Sequence, residues 1–114
     1  MIPFKNRFHG HNSLNYVYKN GQSVRSDMIS IRYIKNSNRE NSRIAVVVGK
    51  KILKSAVGRN RIRRRVYEYV HTMLVKFQDS FDVVFIIHSK ELKNIEHKDL
   101  VKQIDKLLNQ ANIL

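Results

Sequence analysis

Residues 59–77 read Arg59-Asn60-Arg61-Ile62-Arg63-Arg64-Arg65-Val66-Tyr67-Glu68-Tyr69-Val70-His71-Thr72-Met73-Leu74-Val75-Lys76-Phe77, and their apolar members decide the fold. Ile62, Val66, Tyr69, Val70, Met73, Leu74 and Phe77 recur at i, i+3, i+4 and i+7, the spacing of a long amphipathic helix with one face on a core. At about 100° per residue, Arg61, Arg64 and Arg65 project away from that stripe, while Arg63 sits at its border. Arg59 lies over the stripe but in the first turn, where it overhangs the core's edge. Five arginines in seven residues make the opposite side a guanidinium surface, and guanidinium offers fixed charge with a planar fork of donors for phosphate oxygens.

Outward from this helix the period changes. Phe81 to His88 is a continuous apolar run, as in a central buried strand. Upstream, Met28 to Lys35 alternates, with Ile29, Ile31 and Tyr33 on one face and Met28, Ser30, Arg32 and Ile34 on the other. Turn residues from Asn36 to Ser42 then lead to a second strand, Arg43 to Gly49, and the two are expected to form a hairpin. Ser13 to Asn20 predicts a short helix with Asn12 or Ser13 as N-cap, Leu14, Val17 and Tyr18 on one side, and Gly21 as its stop. Asp99 to Ala111 closes the chain as a helix through Leu100, Val101, Ile104, Leu107, Leu108 and Ala111. The expected result is an α/β layer structure, helices packed on a small sheet. With 114 residues, 42% of them hydrophobic, residues 1–114 suit one domain with one core.

Twenty-two Lys and Arg against nine Asp and Glu give a net charge of +13, an excess that calls for anionic partners, nucleic acid first and an anionic membrane second. The longest apolar runs, Ile44 to Val48 and Val83 to Ile87, fall far short of a bilayer span, and no signal-like stretch opens the chain. A cytoplasmic protein is expected. The absence of cysteine excludes disulfides and Cys-based zinc sites.

The charge is unevenly placed. Nine basic residues and no acid lie between Asn41 and Tyr67, whereas from Asp79 onward six acids outnumber five lysines. The first segment is therefore the expected working face and the last third the scaffold. Lys50, Lys51 and Lys54 precede the arginines, so a strand end and a helix N-terminus converge on one basic edge, where free backbone N–H groups add anion affinity. A solvated helix face normally mixes signs; nine like charges would repel one another without return unless a polyanion met them. His9 and His11 have the His-x-His spacing of a metal site, but no carboxylate or third histidine follows usefully, and a basic N-terminal segment is the simpler reading. His71 and His88 suit hydrogen-bonded structural roles, and Asp79 and Asp82 read as loop and capping residues. No catalytic residue and no metal ligand is expected in this chain.

Gly49-Lys50-Lys51, followed after seven residues by Arg59-Asn60-Arg61-Ile62-Arg63-Arg64, resembles the signature of the protein subunit of bacterial ribonuclease P, and the likeness extends more loosely from Asn6 to the C-terminus. The resemblance implies an α/β (α+β) two-layer sandwich in the order αβββαβα with a left-handed βαβ crossover, hence a further strand within Gln22 to Asp27. It implies that Lys50, Lys51, Arg59, Asn60, Arg61, Arg63 and Arg64, which match the signature, bind the catalytic RNA subunit, and the flanking cations Lys54 and Arg65 are expected to join them. A cleft beside them, at Leu14, Tyr18, Arg32 and Val47, would take the single-stranded 5′ leader of precursor tRNA. The family usually places aromatics there for base stacking; here only Tyr18 is a ring, although an arginine plane such as Arg32 also stacks. Tyr67 stands where the family has its next basic helix position, and Arg65 replaces a residue that is commonly apolar. The implied function is endonucleolytic 5′ maturation of tRNA, with the catalytic groups and the magnesium ions held mainly by the RNA. A ribosomal or general RNA-binding module would share the basic helix but show no preference for precursor over mature tRNA, and a membrane-surface protein would expose its apolar stripe.

Overall fold

The computed structural model describes residues 3–8, 11–36 and 40–114. Three α-helices, α1 (His11–Asn20), α2 (Ala56–Met73) and α3 (His97–Gln110), accompany four strands, β1 (Gln22–Arg25), β2 (Ile29–Lys35), β3 (Arg43–Val47) and β4 (Phe81–Ile87). Short 3-10 turns stand at Phe4–Asn6, Leu74–Lys76 and Lys90–Lys93. The order is αβββαβα, and β1 falls where the resemblance required an extra strand.

The expected β2–β3 hairpin does not form. The sheet order is β1-β2-β4-β3, so β4 is inserted between the two strands, antiparallel to β2 and parallel to β3. Burial explains the choice. Val83, Val84 and Phe85 are fully buried, so β4 is apolar on both faces and belongs at the centre, whereas β3 takes the edge. Parallel neighbours need a long crossover, and α2 supplies it. The exposed edge of β3 is covered by a parallel bridge from Arg7 to Ile44 and by the Tyr67 hydroxyl, which accepts from the Val46 N–H at 3.2 Å. Tyr67 thus fastens α2 to the sheet's edge.

Ile29, Ile31, Ile44, Val46, Val83, Phe85 and Ile87 face α2 and α3 in one core with Ile62, Val66, Val70, Leu100, Ile104, Leu107 and Leu108. This is the expected sandwich. Alternation sends Ser30, Arg32, Ala45, Val47, Val84 and Ile86 to the opposite face. There α1 alone lies across the sheet, with Val17 fully buried and Val84 beneath it, both outside the main core. Gly21 follows α1 because a Cβ would stand 2.6 Å from the Val17 carbonyl oxygen and 2.9 Å from that of Tyr33, so only glycine lets the helix turn into β1 at this closeness.

Asp82 is not a capping residue. It lies inside β4, is 3% exposed, and accepts from Arg43 Nε at 2.9 Å and Nη2 at 2.6 Å, with Asn36 Nδ2 adding a third bond at 3.0 Å. Arg43 and Asp82 are register partners across β3 and β4, and the Phe8 ring lies 4.9 Å from the guanidinium carbon. A buried pair with this many bonds adds little net stability but specifies register, since a slip would strand both charges. Asp79, by contrast, is an exposed loop residue, bonded to Lys35 at 2.9 Å, and that bond holds its carboxyl below the usual value.

Candidate nucleic-acid interface

Helix α2 begins three residues before the arginines. Ser55 is its N-cap, its hydroxyl accepting from the Gly58 N–H at 3.1 Å. Gly58 permits the entry: a Cβ there would come within 2.6 Å of the Leu53 side chain. The first turn of α2 holds no acid, and Lys54 and Arg59 crowd the positive end of the helix dipole, each costing a few tenths to about 1 kcal/mol in the free protein. A bound polyanion reverses that sign. Lys50, Lys51 and Lys54 stand exposed on the Gly49–Lys54 turn that joins the end of β3 to this helix start.

Around α2 the arginines fall into three groups. The buried residues Gly58, Ile62, Val66 and Val70 define the inner side, and Arg64 lies opposite their mean direction, exposed and making no intramolecular bond among the described residues. Asn60, also exposed, flanks it and accepts from Arg63 Nη1 at 2.6 Å. On one border Arg59 donates to the carbonyls of Leu53 at 3.0 Å and Lys54 at 2.7 Å, bracing the basic turn. On the other, Arg61 Nε donates to Lys93 O at 2.9 Å, and Arg65 donates to Leu92 O at 2.7 Å and Ile95 O at 2.5 Å.

Arg65 therefore does not project away from the apolar stripe as its helical position suggested. It is half-buried, and burial together with the charge of Arg61 lowers its pKa from the ordinary arginine value. Its place gives this arginine a bracing role: the carbonyls of Leu92 and Ile95 each accept from it, and one long side chain supplies both donors. The same bonds hold the 3-10 turn Lys90–Lys93, with its two lysines, against α2. Nothing in the sequence signalled this, because the third of the chain holding them has more acids than lysines.

None of Lys50, Lys51, Lys54, Arg59, Arg61, Arg63, Arg64 and Arg65 has a carboxylate within salt-bridge distance among the described residues; the ion pairs there use Lys35, Arg43 and Lys98. These eight cations, on one turn and the helix that follows it, are thus without an ion-pair partner among the described residues. The described residues also gather no group of three or more His, Asp or Glu that could hold a metal ion. His9 and the His11 side chain lie outside the described residues.

The cleft residues are placed by the sheet's second face. Arg32 donates to the Tyr18 carbonyl and, at 3.3 Å, to that of Gly21, at the C-terminal end of α1, where a cation suits the dipole. Its Nε is buried without a partner. Arg32 is thus a clamp for α1, its guanidinium held by the helix end. Tyr18 and Leu14 occupy one half-buried flank of α1, and burial outweighs the charge of Arg32 in raising the Tyr18 pKa. Val47 lies in a cross-strand row with Ile86, Ser30 and Arg25. Val47 and Ile86 are half-buried neighbours in that row, on the face of the sheet that α1 crosses. Ile86 and Ser30 were not singled out from the sequence; their position required the order of the strands.

A small mixed sheet with two helices on one face and a third across the other, beside a turn and helix start whose cations have no carboxylate partner among the described residues, defines an RNA-binding α+β domain. The ribonuclease P family model matches residues 2–112, and the chain belongs to that family, the protein components of an endoribonuclease whose role is to bind its RNA subunit. A ribonuclease P protein component of Clostridioides difficile is 35% identical over 98 residues, covering 85% of this chain and 83% of that relative. One from Pseudanabaena is 28% identical over 114 residues, covering 100% of this chain and 97% of its own. Among solved structures, the RNase P protein of Staphylococcus aureus shares the fold with a TM-score of 0.83 at 21% identity, covering 95% of this chain and 96% of that one. The RNase P protein of Thermotoga maritima does so with a TM-score of 0.80 at 23% identity, covering 91% and 96%.

Proposed function

We propose that this chain docks on the catalytic RNA of ribonuclease P through Lys50, Lys51, Lys54, Arg59, Asn60, Arg61, Arg63 and Arg64, with Arg65 holding the neighbouring loop. The groove at Leu14, Tyr18, Arg32 and Val47 takes the 5′ leader of precursor tRNA. The observation that supports this most is the ridge of eight cations without a carboxylate partner. Unpaired cations on one edge repel each other until phosphates neutralise them, and the released counterions supply much of the binding free energy. The leader, being single-stranded, offers unstacked bases to Tyr18 and to the apolar floor of Val47 and Ile86.

The protein's part in the reaction is to bind and orient. Its cations lessen RNA–RNA repulsion, and its groove gives precursor tRNA contacts that mature tRNA lacks, so precursor is preferred and product leaves. Magnesium is assigned to the RNA, as the resemblance to the ribonuclease P protein subunit implies. The proposed place of action is the cytoplasm; no helix among the described residues is long and apolar enough to cross a membrane. The test is reconstitution with a cognate ribonuclease P RNA at low magnesium. Restored cleavage of precursor tRNA is expected, with tighter binding of precursor than of mature tRNA. RNA binding without either effect would instead mark a general RNA-binding module.

A further inference from the structure

The cross-strand row on the α1 face of the sheet carries a polar pair. Ser30 is buried on β2, and its Oγ lies 2.8 Å from His88 Nε2. His88 follows β4 directly, its N–H bonded to the Met28 carbonyl at 2.8 Å, so the extended ladder continues and the ring shares a face with Ile86. Arg25 is the register partner of Ser30 on β1. The row across the sheet is thus Val47, Ile86, Ser30 with His88, and Arg25, apolar near the lysine turn and cationic at the far edge.

We propose that His88, held by Ser30 and neighboured by Arg25, is a proton-linked contact for a leader phosphate, so that the groove grips precursor tRNA more tightly as pH falls. The inference rests on the leader-groove reading above. The groups around the ring are few. Arg25 acts on it from β1, Ser30 meets it from β2, Lys90 follows on its own connection, and among the described residues Arg25 is the charged group that shifts its titration. Burial first, and the charge of Arg25 second, lower the imidazole below its usual 6.5, so the ring is neutral near pH 7 in the free protein. A phosphate drawn in by Arg25 supplies the missing opposite charge and raises that pKa. The serine hydroxyl donates to Nε2 or accepts from it according to the tautomer of the neutral ring, and accepts from the protonated one, so the pair survives titration while Nδ1–H is a charged donor in the imidazolium.

The sign follows. Binding takes up a proton between the free and the bound pKa, so affinity rises with acidity by up to roughly tenfold per pH unit in that window. The test compares precursor tRNA, blocked by a 2′-deoxy substitution at the scissile position, with mature tRNA on the reconstituted holoenzyme from about pH 5.5 to about pH 8. The precursor-to-mature affinity ratio is expected to rise severalfold toward acid in the wild type, to be flat in His88→Gln, and to be high throughout in His88→Arg. The His88 imidazole resonance, titrated with and without a leader oligoribonucleotide, is expected to show a higher pKa when bound, with His71 and His97 unmoved. Equal pH profiles for wild type and His88→Gln, or an unmoved His88 pKa, overturn this inference and leave the groove reading intact. No precursor preference at any pH removes both.

Discussion

Arg64 and Arg65 are adjacent, carry the same charge, and are expected to fail in opposite ways when truncated. Arg64 makes no intramolecular bond among the described residues, so Arg64→Ala should leave stability within about 0.5 kcal/mol of wild type. Its loss should remove one phosphate contact from RNA binding. One contact fewer lowers the slope of log affinity against log salt by roughly 0.7–0.9, which at about 0.1 M salt is roughly a sixfold loss, near 1 kcal/mol. Arg65→Ala instead deletes two charged hydrogen bonds, to Leu92 O and Ile95 O, and leaves both carbonyls without that donor. Charged bonds contribute about 1.5–3 kcal/mol each when dry; at a half-buried site solvent halves that, so a total of about 2 kcal/mol is expected. For a domain of this size the melting temperature should drop by roughly 6–12 °C. Thermal melts of the free proteins, beside filter-binding of the catalytic RNA across a salt series, separate the two effects. An Arg64→Ala protein with an unchanged salt slope, or an Arg65→Ala protein that melts like wild type, would refute the division of the ridge into contact and brace.

Three further substitutions probe the frame. Asp82→Ala leaves the Arg43 guanidinium buried and unpaired and should cost about 3–5 kcal/mol in urea unfolding, whereas Arg43→Met with Asp82→Leu should recover most of it. Gly21→Ala drives a Cβ against the backbone of Val17 and Tyr33 and should cost about 1–3 kcal/mol; a neutral result would show that α1 is free to shift. Tyr18→Ala should weaken precursor tRNA by about 1–3 kcal/mol and leave mature tRNA unchanged, and equal losses with both would remove Tyr18 from the groove.

The basic segment and most of the secondary structure were legible from the sequence because they depend on local rules. Helical spacing from Ile62 places α2 and its stripe, although the α-helix stops at Met73 and a 3-10 turn over Leu74–Lys76 takes the place of the expected last turn to Phe77; apolar continuity marks β4, and the acid-free run from Lys50 to Arg65 marks the exposed basic segment, Arg43 being buried against Asp82. The start of α2 was misread by three residues, since Ser55 as N-cap precedes a stretch with a glycine in it and no apolar period. The hairpin was misread for a deeper reason. Alternation in β2 and β3 reports which faces are buried and is silent on which strand lies beside which. Nearness in sequence favoured pairing them, and the need of β4 to be covered on both edges and faces overrode it.

By itself the sequence determined what each segment must do with its apolar side and where the positive charge would accumulate, for periodicity and composition are properties of neighbours along the chain. Only the tertiary structure decided which cations are free and which are bound. Arg61 and Arg65 meet carbonyls some thirty residues away, Arg43 meets Asp82 across two strands, and Arg32 meets the end of α1. A guanidinium in isolation is equally suited to a phosphate, a carboxylate or a helix end. Which of these it meets depends on the strand order and the crossover, and these follow from burying one apolar strand at the centre of the sheet.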